Sequence, residues 1–168
     1  ALSSTGTISN GTASTLASGG NVFITGAFST PANNTLTMTG AGTTIEAEVS
    51  IGGLTVNPGA GNTVSITDTD TSGNNLDLAG GFTLTDGTFD TNNYDLNVSG
   101  NFTITSGTYT KGTGTLTFDG AAAQTVDANN GTTDQDLGIV EINNTAGAGT
   151  AVTFDTTLVA DTVTALGT

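Results

Sequence analysis

The 168-residue chain contains no Cys, no His and no Trp, and it sets a single base, Lys111, against 15 acidic residues. Without thiol or imidazole there is no cysteine nucleophile, no Ser/His/Asp triad, no imidazole general base and almost no set of zinc ligands. The charge balance, a formal −14, leaves nothing to neutralise phosphate, so nucleic acid and anionic lipid are repelled. One cation cannot sustain a network of salt bridges either. No run approaches the roughly eighteen apolar residues of a membrane helix, which argues against membrane insertion, and no charged segment precedes an apolar one as in a signal peptide. With disulfides excluded, stability must come from backbone pairing and an apolar core. The length suits one domain, 1–168, with a continuous core.

What the chain does contain is a repeat. Residues 81–100 (GFTLTDGTFDTNNYDLNVSG) align without a gap to 101–120 (NFTITSGTYTKGTGTLTFDG), a period of twenty. Phe82 matches Phe102, Leu84 matches Ile104, Phe89 matches Tyr109, Leu96 matches Leu116 and Val98 matches Phe118. Gly87 and Gly100 recur as Gly107 and Gly120. The segment 21–40 (NVFITGAFSTPANNTLTMTG) is a third unit once one residue is shifted, which sets Leu36 and Met38 on Leu116 and Phe118. A longer period of roughly eighty to ninety residues overlies the short one: Ile45 corresponds to Val126, Val56 to Ile142 and Ile66 to Phe154.

Within each unit, runs such as FTLT, LNVS, LTFD and VEIN alternate apolar residues with Thr, Ser, Asn or acid, the period of half-buried strands. Threonine suits the outward positions, and Gly, Asn and Asp between runs tolerate left-handed turn conformations. An antiparallel sandwich or a solenoid of stacked coils can accommodate such strands. A repeat in register favours the solenoid, because a coil stacked on a copy of itself must repeat its apolar pattern, whereas a sandwich has no such requirement. The expectation is an all-β parallel β-helix with about twenty-residue coils of two or three strands, stacked end to end. Eight coils or so would make a rod ~40 Å long at ~4.8 Å per coil.

Neither end carries a recognisable cap. Were Thr168 followed by Ala1 of another copy, Gly107 would lie 87 residues before the next Gly26, against 81 between Gly26 and Gly107 within the chain. Superrepeats 26–106 and 107–168 would then continue into the next copy, as a tandem array or as a head-to-tail homopolymer. Residues 1–20 fit the repeat poorly and are candidates for a lateral or inter-subunit segment. Glu46–Ser50 (EAEVS) interrupts the repeat.

The units GFTLTDGTFDTNNYDLNVSGNFTITSGTY, GTGTLTFDGAAAQTV and IVEINNTAGAGTAVTFD resemble tandem repeats of very large secreted bacterial surface proteins, adhesin-like and autotransporter-like chains, over about Asn21 to Ala165. The resemblance implies an exported, cell-surface, structural or adhesive role. It carries no catalytic motif and names no ligand.

Chemistry-bearing candidates are few. Asp68–Asp77 (DTDTSGNNLD) opens like a calcium loop, with clustered hard oxygens on Asp68, Asp70, Ser72, Asn74 and Asp77, although the twelfth position is Ala79 where such a loop wants a carboxylate. The plainer reading is an acidic turn between coils. Asp127, Asp134, Asp136 and Glu141 form a second acidic stretch, read as a solvated loop. Paired carboxylates serve glycoside hydrolysis, but one Lys, two Tyr and no Trp are poor equipment for holding a polymer, so no enzymatic activity and no cofactor other than calcium is expected. Lys111 is either an exposed turn residue or a lysine for an isopeptide crosslink. The leading expectation is therefore a structural subunit of an extracellular filament or surface fibre. The alternatives are a calcium- or carbohydrate-binding surface module, and a pilus subunit with an immunoglobulin-like sandwich whose residues 1–20 pair with a neighbour.

Overall fold

The computed structural model describes residues 2–4, 14–26, 34–69, 73, 75–147 and 151–166. The chain is a parallel β-solenoid of about seven coils, with no helix among these residues. Each full coil crosses three faces in a fixed order. The first sheet contains β1 (Leu2–Ser4), β3 (Val22–Ile24), β5 (Thr43–Ala47), β7 (Thr63–Ile66), β10 (Thr88–Asp90) and β13 (Thr108–Thr110). The second contains β8 (Leu76–Leu78), β11 (Leu96–Val98), β14 (Thr115–Phe118), β16 (Ile139–Ile142) and β18 (Thr162–Ala165). The third contains β2 (Ser14–Ser18), β4 (Asn34–Met38), β6 (Gly53–Val56), β9 (Phe82–Leu84), β12 (Phe102–Ile104), β15 (Gln124–Asp127) and β17 (Val152–Phe154). All pairing between these strands is parallel, which removes the immunoglobulin-like sandwich and the donor-strand scheme built on it.

The alternation read from sequence sets which side chains enter the core. In β9, Phe82 and Leu84 are fully buried while Thr83 points out, and β12 repeats this with Phe102, Ile104 and Thr103 directly above. Phe82 and Phe102 stack with ring centroids 4.9 Å apart and 19° between planes. Phe118 meets Phe102 edge-on at 5.9 Å, and Phe154 meets Phe118 at 6.3 Å. The coils nearer the N-terminus have an aliphatic core instead, including Ile24, Leu36, Met38, Ile45 and Leu54.

Turns are as tight as the glycine pattern requires. At Gly107, φ is +93° and an added Cβ would run into the carbonyl oxygen of Gly87 in the coil below. At Gly100, an added Cβ would lie 2.5 Å from the backbone nitrogen of Gly81. Between the first and second sheets the turn is made by Asn92 and Asn93, both left-handed with φ of 51° and 69°. The Asn93 carboxamide oxygen accepts the Thr113 N–H of the next coil at 3.1 Å, and Asp95 accepts Thr115 N–H at 2.7 Å.

One sequence expectation, the number of coils, changes in the structure. About seven coils stand where eight were expected, because several coils exceed twenty residues: Val64 pairs with Phe89, Leu54 with Phe82, and Val126 with Phe154. Among the described residues of 1–20, β1 and β2 pair in register with the following coil, Leu2 with Val22 and Leu16 with Leu36.

The superrepeat, moreover, is out of phase with the coil. Leu36 lies in the third sheet, whereas its sequence counterpart Leu116 lies in the second. Ile45 and Ile66 lie in the first sheet, but Val126 and Phe154 lie in the third. Val56 is in the third and Ile142 in the second. Every one of these pairs is separated by three coils and two further faces, so the superrepeat is rotated by one face of the prism each time it recurs.

Burial makes a direct prediction. Phe102→Ala should destabilise the chain by about 3–5 kcal/mol through loss of burial and a cavity in the ring stack, read from the midpoint of denaturant unfolding. Thr103→Ala, one residue away and outward, should cost about 0.5 kcal/mol or less.

Candidate functional site

Of the five oxygens offered for calcium, Asp70, Ser72 and Asn74 lie outside the described residues. Asp68 is a loop carboxylate whose Oδ2 accepts the Gly73 N–H at 2.8 Å, the bond of a turn cap. Asp77 stands elsewhere, on the outer face of the second sheet, and Asn97 Nδ2 donates to it at 2.5 Å from the coil above. Among the described residues no group of three or more acidic side chains is placed to hold a metal ion.

The segment that follows β7 has a different task. Glu46 points out from β5 yet is only 2% exposed, because Thr69 lies over it. Its carboxylate accepts the Thr69 N–H at 3.0 Å and the Thr69 hydroxyl at 2.8 Å. The EAEVS interruption is thus where the insertion after β7 folds back and is tied to the previous coil.

The second acidic stretch is a loop with an exposed tip at 131–133, held by its own hydrogen bonds. Residues 128–136 form a small protrusion in which Asn129 Nδ2 donates to Asp134 at 2.8 Å and Gln135 N–H donates to the Ala128 carbonyl at 2.8 Å. Asn130 closes it, accepting the Thr133 N–H at 3.0 Å and donating to the Gly107 carbonyl at 2.9 Å. Gln135 Oε1 receives the Tyr109 N–H at 3.2 Å and so continues the first sheet above β13, with a side chain replacing a strand. Tyr109 itself lies in the ring stack, and burial pushes its phenol well above the usual value, so it remains neutral.

Lys111 is the cation of this region. Its ammonium contacts Asp136 Oδ2 at 2.5 Å and Asp161 Oδ2 at 2.6 Å, and its stem lies against Gly138. Asp136 bridges to Val159 in the following layer, so one lysine ties together three successive levels of the rod. The hydrogen bonds from Asp136 and then Asp161 hold the amine above its ordinary 10.5, and Lys111 holds the Asp136 carboxyl below its ordinary 3.8. An amine kept protonated in this way is a poor nucleophile for an isopeptide bond, and the geometry is that of an ion-paired clip.

A buried polar site that sequence reasoning missed sits at the corner between the second and third sheets. Gln124 is 2% exposed and uses its full hydrogen-bonding capacity. Its amide nitrogen donates to the Val98 and Gly100 carbonyls at 2.8 and 2.6 Å, and its oxygen accepts Gly120 N–H at 3.0 Å and Asn144 Nδ2 at 2.7 Å. Three coils meet in that one side chain. The only sequence signal was a lone Gln at an inward position of the alternation.

Each of these networks pairs groups of the chain with one another. No protein-family model, curated protein or solved structure matches the chain.

Two outcomes follow. Gln124→Ala should cost about 1–3 kcal/mol for each buried group left without a partner, measured by chemical unfolding, with Gln124→Leu no better despite restored volume. The Lys111 clip should act in a defined pH window. Asp136 contributes above its ordinary 3.8 and loses that contribution as pH falls through its depressed value. Lys111 contributes fully below 10.5 and loses its share as pH rises through its elevated value. Lys111→Met should therefore speed amide exchange in β16–β18 at neutral pH and leave β9–β12 unchanged, with the difference vanishing at both pH extremes.

Proposed function

We propose that the chain is a structural module of an extracellular fibre, a repeat or subunit whose terminal coils stack on coils of the next copy. One observation carries this reading. The inward column of the second sheet runs Leu76, Leu96, Leu116, Val140, each at 1% exposure or less, and then ends on Val163 at 47%. Leu166, at 47%, and Val159, at 39%, are exposed beside it. Among the described residues, β18 pairs with β16 on one side and no strand pairs with its other edge. Exposed apolar residues beside an unpaired strand edge are the surface onto which another coil adds.

The rest of the surface favours addition at the ends over the sides. A formal charge of −14, with one base already paired to acids, makes flank-to-flank contact repulsive. A coil-on-coil joint is made of backbone hydrogen bonds and apolar contact. The likeness to tandem-repeat surface proteins supports export and a place at the cell surface, and an adhesive role rests on that likeness alone.

Sedimentation velocity is the test. The chain should form species that lengthen with concentration, and more readily at higher salt, since screening weakens repulsion between like-charged copies. Val163→Asp should abolish the association while leaving the fold intact by circular dichroism. A monomer at all concentrations and salts, or association unaffected by Val163→Asp, contradicts the reading.

A further inference from the structure

The outer face of the third sheet differs chemically from the other two. In-register pairing stacks Thr37, Thr55, Thr83 and Thr103 in one outward column over four consecutive coils. A second column lies two residues further along the chain, one residue past the end of each strand. There the axial bonds of Thr39, Asn57, Thr85 and Thr105 to Ser18, Met38, Val56 and Leu84 place these residues above one another. The residue between the two columns is inward and buried in each coil: Met38, Val56, Leu84 and Ile104. The result is a two-by-four lattice of seven threonines and one asparagine.

Its spacings are set by the backbone: ~4.8 Å between coils and ~6.6 Å between alternate residues along a strand. No charged residue occupies the eight positions, although the chain carries 15 acids. The second sheet, by contrast, carries Asp77 and Glu141 on its outer face, and the first carries Asp90 and the covered Glu46. The hydroxyls of Thr37, Thr55, Thr83 and Thr103 make no hydrogen bond to another described residue. On the second sheet the outward groups bind one another, as Asn97 binds Asp77 and, at its margin, Ser99 binds Asp119.

We infer that this face binds the surface of an ice crystal. The Thr39 hydroxyl donates to the Ser18 carbonyl at 3.3 Å and Asn57 offers an amide, but the column of Thr37, Thr55, Thr83 and Thr103 is a row of uncommitted hydroxyls, each beside its own methyl group, and such a row holds water in the trough between the columns. The axial repeat is close to the spacing of water oxygens along the a axis of hexagonal ice. Other ordered surfaces fit less well. A crystalline polysaccharide is usually gripped by stacking on aromatic rings, and the lattice has none. A mineral surface calls for charge, and the lattice has none of that either. The lattice ends at Asp127, which follows Thr103 in its column. The inference is independent of end-to-end stacking, since four coils of one chain make the face.

The test is to grow an ice hemisphere slowly from a dilute solution of the chain and to measure its concentration in ice and in liquid, together with the shape of single ice crystals. The wild type should enter the ice and facet the crystals. Thr83→Tyr, and separately Thr55→Lys, should abolish both effects, whereas Thr117→Tyr on the second sheet should retain them. Circular dichroism and melting temperature report folding for each variant, so either lattice variant alone suffices if the other fails to fold. Exclusion of the wild type from ice, equal loss in Thr117→Tyr, or retention of both effects in a folded lattice variant overturns the inference. So does sedimentation of the chain with powdered cellulose or chitin when ice excludes it.

Discussion

The fold depends on one constraint: every coil must lie in register on the one beneath it. In a parallel stack the backbone donors and acceptors of a strand point along the axis, so a coil is satisfied only by its neighbours. The same stacking sets each inward side chain on its counterpart, as Phe82 lies under Phe102 and Leu96 under Leu116. A single coil has no core and no saturated hydrogen bonds of its own. Stability is thus a property of the sequence of interfaces, and the end of the stack is where it is least complete.

The polar side chains serve the same constraint. Gln124 joins three coils at a corner, Asn93 and Asp95 reach up to the next coil's backbone, and Lys111 spans three levels. Insertions are accommodated only where they can be tied back without disturbing register. The segment after β7 does so by covering Glu46, and the 128–136 protrusion does so by lending Gln135 to the first sheet. Chemistry that looks available in the sequence is therefore largely consumed in holding coils together. The uncharged threonine face stands apart because the hydroxyls of its Thr37, Thr55, Thr83 and Thr103 column are not used in this way, although Thr39 bonds to Ser18 in the coil below.

Much of this was legible in the sequence, and for a physical reason. Alternation fixes inward and outward, and stacking like on like fixes the period, so the solenoid and the pairings of 81–120 could be read directly. Which face a strand occupies could not be read, because it depends on the summed length of all preceding turns. That is why Leu36 and Leu116 look equivalent yet lie on different sheets. A superrepeat that advances three coils and two faces returns to its starting face only after three recurrences, so like sequences spiral around the rod. The alternation is faint in 1–20 because the large apolar residues there, Leu2, Ile8 and Leu16, are widely separated by Ser, Thr, Gly and Asn. The ion pairs of Lys111 are not legible in the sequence because its partners lie 25 and 50 positions away.

If coils are completed only by coils, the joint between two copies should be indistinguishable from the interior. Cryo-electron microscopy of concentrated material measures this directly. The account predicts continuous rods in which the ~4.8 Å coil spacing runs through the joints without a break, with the third-sheet face aligned or rotated by a whole face at each one. Separate particles of about seven coils at every concentration, or copies joined side by side, would contradict it.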